Sequence, residues 1–374
     1  MSDASPDTFS AAPTGKLAVV AAGGTGGHLF PAQALAQALT ARGWRVVLAT
    51  DERVQALSAS FPAERRIPLS AATFKPGDPL GAVKAGGAIT RGVMQARAEL
   101  SALKPAVVIG FGGYPSLPAL IAAISQGRKT IIHEQNAVMG RANRLLAPRV
   151  TGVACAFPTL LKAPASVQAR AVVVGNPVRA DIQAIYERPY DPPAGEVRLL
   201  ITGGSQGARL LSEMTPRAIA VLPDAIRRRL KVQQQTRPEA VERAKETYAA
   251  ADVEAEIAPF FERMGERLAA CHLMIGRAGA STVCEIAVAG RPSILVPLKI
   301  ALDDDQGQNA RLLAAAGGAE VLNEDQLSIE SLSALIQALI EDPARLAAMA
   351  AGAKAVAKPD AANRLADLVE KTAA

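Results

Sequence analysis

The chain has 374 residues, 49% of them apolar, which suits two globular domains with sizeable cores and excludes disorder for most of its length. Aromatic residues make up only 3%, too few to build stacking platforms for single strands, so nucleic acid is not an expected partner. The net charge of +6 is uneven: 18 Lys and Arg stand against 8 Asp and Glu up to Val178, and 23 against 27 beyond it, so the basic first half could meet an anionic surface or a phosphorylated substrate, although charge alone is better read as scattered over a solvated face.

In chain order, the polar and acidic opening MSDASPDTFSAAPTG lacks the charge and apolar run of a signal peptide, and residues 1–14 read as a flexible tail. From Lys16, short β-branched runs alternate with longer Ala- and Leu-rich ones: KLAVVAA, FPAQALAQALTARG, WRVVLAT. Further strand signals are AVVIGF from 106, KTIIHE from 129, VTGVACA from 150 and AVVVGNP from 171. Strict alternation of strand and helix predicts a parallel sheet covered on both faces. RADIQAIYERPYDPPAG, with three prolines, reads as a connection, and the alternation restarts at VRLLIT (197–202) and continues through HLMIG and SILVPL. KPDAANRLADLVEKTAA predicts a last helix with Asp360 at its N-cap, whose docking partner the pattern does not give. No stretch reaches the roughly 18 uncharged apolar residues of a membrane span. Cys155, Cys271 and Cys284 lack metal-ligand spacing and suit a reducing, cytoplasmic compartment.

Each half opens with a strand running into a glycine-rich turn, GGTGGH at 23–28 and GGSQGAR at 203–209. Bare backbone at a helix start lets a phosphate approach amide groups where the helix dipole favours an anion. Neither P-loop nor GxGxxG spacing is met, because no Lys-Ser/Thr follows and Leu29 stands where a third glycine belongs. A dinucleotide-binding dehydrogenase, with Asp51 as the ribose acid after RVVLAT, is therefore the lesser alternative. Two doubly wound halves make a cleft at the carboxyl ends of their strands.

GGTGGH, HEQN at 133–136, GNPVR at 175–179, GGSQGAR and RAGASTVCEIAVAG at 277–290 follow one another across the two halves. Together they resemble the MurG family of N-acetylglucosaminyltransferases of peptidoglycan synthesis, over nearly the whole chain from about Lys16. The resemblance implies a GT-B fold, two Rossmann-like domains facing each other across a cleft. Residues 15–178 would form the acceptor and membrane domain, 179–356 the UDP-GlcNAc domain, and 357–374 a C-terminal helix packing back on the first domain. The implied reaction moves GlcNAc from UDP-GlcNAc to the 4-hydroxyl of MurNAc in undecaprenyl-pyrophosphoryl-MurNAc-pentapeptide (lipid I to lipid II), with inversion. The implied location is peripheral, on the cytoplasmic face of the bacterial inner membrane. A GT-B enzyme with another acceptor and a non-catalytic nucleotide-sugar binder are the alternatives.

By resemblance His28 is the general base, a role that imidazole can fill near neutral pH; its bland alternative is a helix-start histidine that only hydrogen bonds. Donor contacts are implied for Thr25, Gly26, Gly27, Asn136, Arg179, Ser205, Phe261, Gln306 and the run Ala280, Ser281, Thr282, Val283, Cys284 and Glu285. Of these, Arg179 would meet the diphosphate and Glu285 both ribose hydroxyls, as two carboxylate oxygens can. His133 and Glu134 would lie on the acceptor side, and His272 would be structural. No cofactor and no obligatory metal are expected: Asp303, Asp304 and Asp305 contain a DxD, but they precede a helix and are read as its cap. QQQTRPEA (233–240) departs from the family's pattern, which more often has a histidine and a glycine-rich turn there. Phe74 to Arg97 is expected to dock on an anionic membrane through Leu80, Val83, Ile89, Val93 and Met94 beside Lys75, Lys84, Arg91 and Arg97, unless the apolar residues pack in the core.

Overall fold

A computed structural model of the chain describes residues 15–24, 26–51, 61–72, 77–204, 207–299 and 303–374, apart from the side chains of Pro79 and Ala82. The expectations for the tail 1–14 and for Thr25, Phe74, Lys75 and Ser205 lie outside the described residues.

Two parallel sheets organise the molecule. The first is built from β1 (Leu17–Ala21), β2 (Arg45–Thr50), β3 (Arg65–Pro68), β4 (Val107–Gly110), β5 (Thr130–Glu134), β6 (Gly152–Cys155) and β7 (Val172–Val173), in the order β3-β2-β1-β4-β5-β6-β7. The second contains β8 (Val197–Thr202), β9 (Leu230–Gln235), β10 (Glu254–Ala258), β11 (Leu273–Gly276), β12 (Ser293–Leu295) and β13 (Ala319–Val321), in the order β10-β9-β8-β11-β12-β13. Central strands such as LAVVA, VVIG and LMIG are apolar at every position and buried, as strands covered by helices on both faces must be. The edge strand EAEIA instead exposes Glu254 and Glu256, which discourages pairing with another chain.

In both sheets the winding reverses beside the first strand, between β1 and β4 and between β8 and β11. Ligands of open parallel sheets bind at such switch points, beyond the carboxyl ends of the strands. Both glycine-rich turns fall there.

The last helix, Ala361–Ala373, buries Ala361, Leu365, Ala366 and Val369, spaced along one helical face. It packs against the helix Gly26–Ala41, sharing a core with Leu29, Leu35 and Leu39. Arg42 fastens it through Asp367 at 2.7 Å and Glu370 at 2.9 Å, and the Trp44 indole donates to Glu370. The final residues of the sequence thereby buttress the helix that carries His28. Asp360 stands at the N-cap position, but its carboxylate accepts from Arg364 rather than from a backbone amide.

Candidate active site

A cleft of about 1060 Å³ lies between the two sheets and is lined from both. On the second-sheet side, β8 leads into Gly203 and Gly204 before the helix Arg209–Ala220. The turn is tight: a Cβ on Gly203 would lie 2.0 Å from the Ala208 nitrogen, and Gly204 and Gly207 have φ of 77° and 67°. Gln235 pins it, accepting from the Gly203 amide at 3.1 Å and donating to the carbonyls of Gly204 and Pro259. Next to it β11 leads into the helix Ala280–Ala289, capped by Gly279 without a side-chain bond. Ala280, Ser281 and Thr282 line the cleft at this helix start, where first-turn amides lack partners inside the helix and the dipole favours an anion.

Glu285 projects from the same helix and meets Arg179 through paired bonds, Nε to Oε1 at 3.0 Å and Nη2 to Oε2 at 3.2 Å. The guanidinium also covers the Phe30 ring, 5.3 Å from its centroid. Burial pushes the Glu285 carboxyl up, and Arg179 pulls it back. Two of the five guanidinium N–H groups serve Glu285, which leaves three for a ligand.

The first-sheet side presents Gly26, Gly27 and His28 at the start of the helix Gly26–Ala41, with Gln135 and Asn136 after β5. His28 Nδ1 lies 2.9 Å from Gln135 Oε1. His133 and Glu134 stand behind this wall, both buried. His133 bonds the Gly175 carbonyl and the Gln135 amide, and burial pulls its pKa down to about 4. Glu134 accepts from the amides of Asn136 and Gly140 and from the Asn143 side chain, holding the loop 135–140 in shape; burial raises its pKa against those bonds. Both residues shape the wall and touch no open space, so any effect on an acceptor passes through their neighbours.

The two sides meet at one rim. Asn309, fully buried, accepts from the Ala137 amide at 2.9 Å and donates to Asn136 Oδ1 at 3.0 Å, and the Ser281 hydroxyl reaches the Gly27 carbonyl at 3.4 Å. Asp303 spans the same gap to Lys162 at 2.6 Å and Arg141 at 3.5 Å. The expected capping role of the aspartates needs correction. Asp304 occupies the N-cap position with φ 49°, outside the extended conformation of a side-chain cap, and its carboxylate bonds Gln308 and Arg311.

Other expected donor residues divide by orientation. Phe261 and Gln306 line the cleft, with Gln306 Oε1 taking the Leu298 amide at 3.0 Å. Val283 and Cys284 do not line it: Val283 is buried in the second-sheet core and Cys284 packs against the same cluster. Asp51 is buried and accepts from the Tyr114 hydroxyl, and His272 accepts the Arg198 amide beside β11. At the unusual 233–240 segment Arg237 lines the cleft, its Cγ 3.0 Å from where a Cβ of Gly207 would sit. The motifs assign no role to Gln135, Gln235 or Asn309, which bond His28, the Gly203 turn and the Ala137 amide. Gln135 lies inside HEQN and Gln235 inside QQQTRPEA, while nothing in the pattern singles out Asn309.

Comparison with known proteins agrees with this geometry. Residues 18–155 match the glycosyltransferase family 28 N-terminal domain and residues 198–365 the family's C-terminal domain. The chain is 65% identical over 360 residues to the UDP-N-acetylglucosamine--N-acetylmuramyl-(pentapeptide) pyrophosphoryl-undecaprenol N-acetylglucosamine transferase of Phenylobacterium zucineum, covering 96% of this chain and 99% of that one. The protein of the same name from Caulobacter vibrioides is 63% identical, with the same coverage. The crystal structure of Acinetobacter baumannii MurG superposes with a TM-score of 0.76 at 32% identity, covering 95% of this chain and 99% of that one. With its two-sheet GT-B architecture and full-length likeness to these transferases, the chain belongs to the MurG family of glycosyltransferase family 28.

Proposed function

We propose that the cleft transfers GlcNAc from UDP-GlcNAc to the 4-hydroxyl of MurNAc in undecaprenyl-pyrophosphoryl-MurNAc-pentapeptide, inverting the anomeric centre. The observation that carries this reading is the two-sided wall: a histidine on the first-sheet side shares one cleft with a helix start and an Arg–Glu pair on the second. His28 takes the proton of the 4-hydroxyl as its oxygen attacks the sugar's C1. The bond from C1 to the β-phosphate oxygen breaks and its electron pair leaves with UDP. That charge is met by the turn at Gly203–Gly207, the amides of residues 280–282 and Arg179. Glu285 holds the ribose and Gln306 the sugar hydroxyls.

The acceptor's polyprenyl tail stays in the bilayer, so the enzyme works at the cytoplasmic leaflet as a peripheral protein. Among the described residues no helix is long and apolar enough to cross a membrane. The helix Pro79–Leu103 supports a surface contact, with Leu80 75%, Val83 73% and Met94 68% exposed beside Lys84, Arg91 and Arg97. Ile89 and Val93 are half-buried, and Val93 packs on the first-sheet core, so they contribute little to such a face. A UDP-release assay tests the acceptor assignment. Release with a lipid I analogue and none with a simple glycoside is the expected result; equal release with both would assign another acceptor.

A further inference from the structure

A chain of hydrogen bonds runs through the first-sheet wall to His28, and backbone carbonyls fix its direction. His133 Nε2 lies 2.9 Å from the Gly175 carbonyl oxygen, which can only accept, so Nε2 carries the proton. With its pKa held to about 4 by burial, the ring is neutral at working pH and Nδ1 is a lone pair. The Gln135 side-chain nitrogen lies 3.0 Å from that lone pair and 3.0 Å from the His133 carbonyl oxygen. Only an NH₂ group can meet two acceptors, so the amide cannot turn over. Its oxygen then faces His28 Nδ1 at 2.9 Å and requires a donor there.

We propose that Gln135 is a positioning residue that locks His28 as the Nδ1–H tautomer, leaving Nε2 as the bare lone pair that accepts the acceptor's proton. The inference rests on the reading of His28 as general base. Gly113 supports it independently: a Cβ there would come within 3.3 Å of His28 Nε2, and φ of +68° favours glycine as well. The wall thus orients one histidine nitrogen and keeps the other uncrowded.

The chain has only three histidines, so long-range ¹H–¹⁵N correlation of histidine-labelled protein reads every tautomer directly. Signals are assigned by replacing His28, His133 and His272 with Gln one at a time. His272 serves as an internal standard, because its Nδ1 accepts the Arg198 amide and must be bare. The expected pattern is Nε2–H for His133 and His272 and Nδ1–H for His28. In Gln135→Met the His28 signal moves toward the Nε2–H form, and kcat falls by roughly 10- to 10⁴-fold, as for a misset tautomer in a hydrolase triad, while KM for UDP-GlcNAc holds. Nε2–H at His28 in the wild type, or an unmoved Nδ1–H in Gln135→Met, would overturn the lock. The wild-type spectrum decides even if the variant does not fold. If His28→Gln keeps its activity while the wild type shows Nδ1–H at His28, the lock stands and the base lies elsewhere.

Discussion

Arg179 and Glu285 hold one another in a bidentate pair, so the residue assigned to the diphosphate and the residue assigned to the ribose form a single unit. A carboxylate oxygen has a second lone pair and the guanidinium has spare N–H groups, so the pair can receive a nucleotide without separating. Glu285→Ala should weaken UDP and UDP-GlcNAc alike, by about 1.5 to 3 kcal/mol for lost charged hydrogen bonds. Calorimetric titration with both ligands checks this. An unchanged affinity for UDP removes Glu285 from the donor site.

His28→Gln should leave UDP-GlcNAc affinity nearly intact and lower turnover by roughly 10²- to 10⁴-fold, the usual contribution of a general base. Steady-state rates beside a binding measurement separate the two quantities. Turnover within a few-fold of wild type would assign proton removal to another group.

His133 gives the fold a definite pH dependence. Its folded pKa is lowered from 6.5 to about 4, so the unfolded chain takes up the proton first as pH falls. The contribution of the neutral, buried ring is complete above pH 6.5 and is lost progressively down to about 4, by an amount on the order of 3 kcal/mol. Denaturant melts at pH 7 and pH 5 should therefore differ more for wild type than for His133→Gln. Equal differences would show that the ring is not held neutral by burial.

Much of this was legible in the residues. β8 begins and ends where VRLLIT does, and apart from the exposed Arg198 its residues are buried, as in a central parallel strand. The pattern does not mark β3 (RRIP), β9 (LKVQQQ), β10 (EAEIA) or β13 (AEV) as strands, since edge positions and the Gln233–Gln235 run hide it under polar side chains. In β9 that polarity has a use: Gln234 bonds the buried Tyr248 hydroxyl and Gln235 holds the glycine turn. The motifs marked the cleft, but spacing alone could not show that His133 backs His28 through Gln135, because that contact spans 107 residues. The aspartate run misled for a similar reason, as the partners of Asp303 lie in the other domain.

The helix Pro79–Leu103 should carry the membrane contact. Each cation near an anionic leaflet contributes about 1 kcal/mol, and the attraction is screened by salt. Replacing Lys75, Lys84, Arg91 and Arg97 with Gln should abolish co-sedimentation with anionic vesicles and leave UDP-GlcNAc affinity unchanged. Undiminished sedimentation would move the membrane face elsewhere on the molecule.

The proposed transfer is tested on the product itself, made by the purified chain from UDP-GlcNAc and a lipid I analogue and analysed by NMR for linkage and anomeric configuration. The expected result is one UDP released per sugar transferred and a β-linkage to the 4-oxygen of MurNAc, since the donor is an α-glycoside and a single displacement inverts it. An α-linked product, or UDP released at the same rate without acceptor, would contradict it.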